Sequence, residues 1–165
     1  MGDTPLNTFA NNNVKIFISY SSKDIDWMND LLTQLNVLKI NDKQLEIWQD
    51  GLLDPGIKWD AEIKAKLYTA NIVLMLISAN FLTSEYVTNI EIKETLVRKE
   101  KGDVVAIPVI LKPCAWEQTP LAQFNALPRH GKPISQYGDR DSALYEVVTG
   151  VQRVIKKWRE NKTIA

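Results

Sequence analysis

Residues 14–24 read VKIFISYSSKD, a short apolar run that breaks off in the hydroxyls Ser19, Tyr20, Ser21 and Ser22 and then in two opposite charges, Lys23 and Asp24. An apolar run of this length, bounded by polar residues, reads as a strand buried on both faces. In an open α/β sheet the space beyond the carboxyl ends of such strands is where ligands bind, so hydroxyls placed there line a candidate site. They also have a local reading: Ser22, followed by KDIDWMNDLLTQL, is placed to cap an amphipathic helix with acids in its first turn.

Comparable runs recur outward from this stretch, at LEIW (45–48), NIVLMLIS (71–78), VVAIPVIL (104–111) and, more weakly, KPISQY (132–137). Between them apolar residues return at helical spacing: Trp27, Leu31, Leu35 and Leu38, then Trp59, Ile63, Leu67 and Ala70 with Lys66 among them, then Tyr86, Ile90 and Val97. A last stripe holds Leu144, Val147, Val148, Val151 and Ile155. Strand and helix in alternation predict an α/β fold, a parallel sheet covered by helices on both faces and joined by right-handed crossovers. Five strands suit the flavodoxin-like order 2-1-3-4-5, although periodicity does not set the order. The segment KPCAWEQTPLAQFNALPRHG (112–131) carries Pro113, Pro120, Pro128 and Gly131 and reads as loop with one short helix, long enough to be a functional edge.

The chain of 165 residues suits one domain with its own core. Residues 1–13 read as a flexible leader, 14–160 as the domain and 161–165 as a tail. Lys plus Arg equals Asp plus Glu at 20 each, so no net field draws the protein to nucleic acid or to an anionic membrane. The one cysteine, Cys114, excludes an intrachain disulfide and a cysteine zinc site, and points to a reducing compartment. No apolar stretch approaches the roughly 20 residues of a membrane span, and the first residues lack a signal-peptide pattern; the cytoplasm is the expected location. The one histidine, His130, has no Ser or Asp partner arguable around it, and no metal-ligand spacing or phosphate loop is present. A receiver or flavin protein would need an acidic cluster or a phosphate loop after the first strand, which SYSSKD does not supply.

Three blocks at strand ends, FISYSSKD, IWQDGLLDPGIKWDAEI (47–63) and LISANFLTSEYVTNIEI (76–92), together with FNALP (124–128), resemble a bacterial Toll/interleukin-1 receptor (TIR) domain over residues 14–158. Members of that family are either scaffolds that act through TIR–TIR contacts or enzymes that cleave NAD between nicotinamide and ribose. A glutamate on the helix after the third strand separates the two, and the matching residue here is Glu91. The resemblance implies an NAD glycohydrolase with NAD as substrate and no other cofactor, giving nicotinamide and linear or cyclic ADP-ribose. It also implies a role in bacterial antiviral defence, activation by assembly and a fused or associated sensor domain. The alternative is a non-catalytic TIR adaptor.

The same resemblance places Ser19, Tyr20, Ser21, Asp50, Trp59 and Ser84 beside the substrate, with Leu52 and Leu53 at the tip of an assembly loop. Each residue also has a plainer reading. A glutamate on a helix face away from the apolar stripe is ordinarily solvated. Ser84 is placed to cap its helix, Trp59 to seal the core, and Tyr20 to point inward while the serines face the cleft. Asp50 opens a turn bent by Gly51, Pro55 and Gly56, but turn chemistry does not account for two adjacent leucines in a polar loop. Resembling proteins carry arginine where this chain has Ser21 or Ser22, which leaves phosphate contact open, with Lys23 either a substitute or a solvated helix-start residue.

Overall fold

The computed structural model describes residues 12–49, 65–84 and 93–164. Its strands are β1 (Val14–Ser19), β2 (Leu45–Gln49), β3 (Ile72–Ile77) and β4 (Val105–Ile110). They form a parallel sheet in the order β2-β1-β3-β4. The helices are α1 (Ile25–Leu38), α2 (Ala79–Leu82), α3 (Lys93–Glu100) and α4 (Arg140–Ile164), with residues 65–69 also helical. α4 thus includes residues 161–164 of the expected tail.

Side chains alternate across a strand, so a strand covered on both faces must be apolar at every position. β3 shows this fully: Ile72, Leu74 and Leu76 join one core layer, and Val73, Met75 and Ile77 the other. The first layer packs Met28, Leu31 and Leu35 of α1 and Leu144, Val147, Val151 and Ile155 of α4 against the sheet. The second holds Phe17, Leu67, Ala70, Phe81, Leu121 and Phe124. The molecule is therefore helix, sheet, helix. Gly150, inside α4, allows a close approach: a Cβ there would stand 2.7 Å from Leu127 Cδ2.

Two expectations are corrected. The weak run at 132–137 is not a fifth strand but carries a 3-10 turn, Ile134–Gln136, because Pro133 contributes no N–H to a ladder. Beside β4 there is instead a single parallel bridge, Val109 to Leu127, with Ser135 N donating to Leu111 O at 3.0 Å. The second correction concerns the stripe Tyr86, Ile90 and Val97. Its first two members lie outside the described residues, and Val97 is 50% exposed while Thr95 and Arg98 of α3 are buried. The Arg98 guanidinium donates to Leu67 O at 2.6 Å and to Asp103 O at 3.0 Å, which satisfies the buried cation with backbone carbonyls. The 112–131 loop holds three short 3-10 turns, Trp116–Gln118, Pro120–Gln123 and Arg129–Gly131.

Candidate functional site

The strand order reverses direction about β1: the chain leaves β1 for α1 on one face, and leaves β3 for α2 on the other, where Phe81 packs in the second core layer. Departing connections that diverge in this way open a crevice at the carboxyl ends of β1 and β3. Ser19, Tyr20 and Ser21 all lie at the β1 side of this crevice, and all three are buried. Tyr20 points into the core layer under α1 and α4, and its hydroxyl donates to Gln49 Oε1 at 3.2 Å, tying the exits of β1 and β2 together.

The cap expected at Ser22 sits one residue earlier. Ser21 Oγ accepts from Lys23 N at 3.3 Å and opens a 3-10 turn, Ser22–Asp24, which leads into α1. Asp24 occupies the N-cap position of α1 without a side-chain cap bond. Its carboxylate is spent elsewhere: it is fully buried and accepts from Ser78 Oγ at 2.5 Å and from Asn80 Nδ2 at 3.5 Å. Ser78 in turn accepts from Phe81 N at 3.0 Å and caps α2. Sequence reasoning missed Asp24, Ser78 and Gln49 as site-building residues. The available signal was that each is a polar residue at or just past the carboxyl end of an apolar run.

Ser84 follows α2, half-buried, and its N–H donates to Phe81 O at 3.2 Å. The first helix after β3 is thus the short α2, capped by Ser78, and the helix start that Ser84 is expected to cap lies outside the described residues. Glu91, Asp50, Trp59, Leu52 and Leu53 lie outside the described residues. The structure therefore joins the exit of β1 to both neighbouring strand exits, through Tyr20 on Gln49 at the end of β2 and through Asp24 on Ser78 and Asn80 just beyond β3, with Ser19 and Ser21 buried beside them in the chain.

Other features fall away from this crevice. A cavity of about 1000 Å³ lined by Asn12, Leu38, Asp42, Arg153, Lys156 and Arg159 lies at the opposite end of the sheet, where Gln44 O accepts from Val14 N. There Arg159 donates to both Asp42 oxygens, at 2.7 and 3.0 Å, and to Asn12 O at 2.8 Å. Burial pushes the Cys114 thiol up, away from the thiolate form that would make it a nucleophile. Among the described residues no group of His, Cys, Asp or Glu is placed to hold a metal ion, and no helix is long and apolar enough to cross a membrane.

Comparison with known proteins agrees with this architecture. An uncharacterized Sinorhizobium fredii protein, y4lF, is 36% identical over 137 residues, which is 83% of this chain and 42% of that protein, so the chain spans less than half of its relative. The TIR domains in the structure of the activated Roq1 resistosome recognizing the pathogen effector XopQ superpose with a TM-score of 0.57 at 13% identity, over 84% of this chain and 99% of theirs. That likeness is one of fold. The family model described as TIR domain matches residues 16–142, and with the reversal of strand order about β1 it establishes that the chain belongs to the TIR domain family.

Proposed function

We propose that this TIR domain is an NAD glycohydrolase that breaks the bond between nicotinamide and ribose. What supports the reading is Glu91 in SEYVTNIEI, which the resemblance matches to the glutamate expected to separate NAD-cleaving TIR domains from scaffolds.

The chemistry needs little more than one fixed carboxylate. An ordinary glycosidase uses a second carboxyl group as acid because its leaving group is an alkoxide. Nicotinamide in NAD is already a pyridinium cation and departs neutral with the bonding electron pair. The ribose carbon left behind is oxocarbenium-like, and the Glu91 carboxylate stabilises that charge while accepting hydrogen bonds from ribose hydroxyls. Water then adds to give ADP-ribose, or the ADP-ribosyl unit closes on itself to give a cyclic product. In this reading Ser19, Ser21 and Ser84 supply polar groups to the crevice walls, Trp59 flanks the nicotinamide and Asp50 opens the loop over the site. Tyr20 acts from beneath by holding Gln49, the residue before Asp50.

Placement as the effector part of a longer antiviral defence protein, switched on by TIR–TIR association in the cytoplasm, belongs to the same proposal. Support comes from the length of the y4lF relative and from the assembly of the Roq1 TIR domains in their resistosome. The test is to incubate concentrated protein with NAD and resolve the products by chromatography. Nicotinamide release that Glu91→Gln loses is the expected result; no release from either protein leaves the non-catalytic adaptor.

A further inference from the structure

α4 is 25 residues long and α1 is 14, which at about 1.5 Å per residue makes them about 37 and about 21 Å long. They run side by side in the same direction. Arg140 opens α4 and donates to Asp30 of α1, whereas Arg159 donates to Asp42, past the end of α1. The last turns of α4 therefore overhang α1, and the cavity of about 1000 Å³ at the amino end of the sheet lies between them and the turn into β2. Arg159 fixes the walls of this space. Its guanidinium holds both Asp42 oxygens and, through Nε at 2.8 Å, the Asn12 carbonyl, so α4, the turn into β2 and the entry to β1 keep one arrangement.

Thr149, Gln152, Arg153, Lys156 and Glu160 recur at the spacing of one helix face, and all five line the cavity. Because Asp42 is neutralised by Arg159, the charges of Arg153 and Lys156 stand there against Glu160 alone. The side chain of neither cation has a hydrogen bond or ion pair among the described residues. On a convex helix face such cations are merely solvated. Here they line a concave space as large as small-molecule sites of about 300–1,000 Å³, where they supply an anion with charge-assisted contacts. Leu38 and Ile155 add apolar surface, and the side-chain amides of Asn41 and Gln152 both donate and accept hydrogen bonds.

We infer that this cavity binds a phosphorylated small molecule of nucleotide size, with Arg153 and Lys156 on its phosphate and Leu38, Asn41 and Gln152 on the remainder. The site lies at the opposite end of the sheet from the crevice, and it does not rest on the NAD reading.

The experiment is a titration of the isotope-labelled chain with ADP, followed through amide chemical shifts by NMR. It compares the wild type, the double variant Arg153→Ala with Lys156→Ala, and Lys157→Ala. Lys157 is an exposed neighbour on α4 that does not line the cavity. The wild type is expected to show saturable shifts at Asn41, Asp42, Gln152 and Arg153, with Kd below about 1 mM. The double variant, whose unbound spectrum reports its fold, is expected to bind at least about tenfold more weakly, and Lys157→Ala to stay within about two-fold of the wild type. Absence of saturable shifts in the wild type overturns the site. Shifts confined to residues 19–24 and 78–80 overturn it too, because they place the nucleotide in the crevice. An equal loss in Lys157→Ala overturns it by showing a diffuse attraction to the basic end of α4. A double variant that binds as the wild type does overturns the roles of Arg153 and Lys156. Should the double variant lose its fold, Lys156→Ala alone at wild-type affinity overturns them equally.

Discussion

At the scale of single residues, the buried polar side chains at the strand ends tie the strand exits to one another. Tyr20 has its ring in the core and its hydroxyl on Gln49. Tyr20→Phe keeps the ring and removes one hydrogen bond, so urea unfolding should show a loss of about 0.5–1.5 kcal/mol. Two groups away from the crevice make stability depend on pH. The hydrogen bonds from Arg159 hold the Asp42 carboxyl below the usual carboxylate range. Its contribution to stability is therefore full above the unfolded value of about 3.9 and is lost as pH falls through the lower folded value. The stability difference between wild type and Asp42→Asn should shrink as urea midpoints are taken from neutral pH to about pH 2. Partial burial, and then the Glu146 carboxylate that accepts its hydrogen bond, push the Tyr137 hydroxyl up to about 12. A proton held more tightly in the folded state stabilises fully below the unfolded value of about 10 and ceases to do so as pH rises toward 12. Tyr137→Phe should accordingly remove part of the stability loss that the wild type shows across that interval.

At the scale of elements, β3 and β4 were legible because burial on both faces leaves an unbroken apolar run in the sequence, and β1 because its run is broken only by Lys15 before it ends at Ser19. α1 and α4 were legible because each buries one stripe, and Leu31 and Leu35 lie in it with no exposed surface. Leu31→Ala should cost about 2–5 kcal/mol in chemical unfolding, the range for emptying a buried leucine site. What failed did so for non-local reasons. The apolar stripe was expected to hold Val97, whereas α3 exposes Val97 and buries Arg98 on a carbonyl 31 residues distant in the chain. Asp24 meets Ser78 across 54 residues, and from sequence alone it reads as an ordinary helix-start acid. The weak fifth run carried a strand-like composition but also Pro133, and the edge beside β4 took a single bridge instead. Gly150, about 1 kcal/mol poorer than alanine in a helix interior, is explained only by Leu127 lying against it.

At the scale of the whole molecule, the strand order reverses about β1, and the exit of β1 is tied to both neighbouring strand exits, by Tyr20 to Gln49 and by Asp24 to Ser78. Of the proposed site, Ser19, Tyr20 and Ser21 lie at the carboxyl end of β1 and Ser84 follows α2, while Glu91 rests on its motif alone and lies outside the described residues. If Leu52 and Leu53 form an assembly tip, replacing both by serine should lower activity more at low protein concentration than at high, with a matching fall in sedimentation coefficient. Unchanged activity and sedimentation would remove that role. The central claim is that this TIR domain cleaves NAD through the charge of Glu91. Nicotinamide release from NAD by wild type and by Glu91→Gln, at equal and high protein concentration, tests it most directly. The account predicts release by the wild type and a fall of about 10²-fold or more in Glu91→Gln, with stability changed by less than about 0.5 kcal/mol, as for a substitution outside the core. Release at the wild-type rate by Glu91→Gln, or none from either protein, would contradict it.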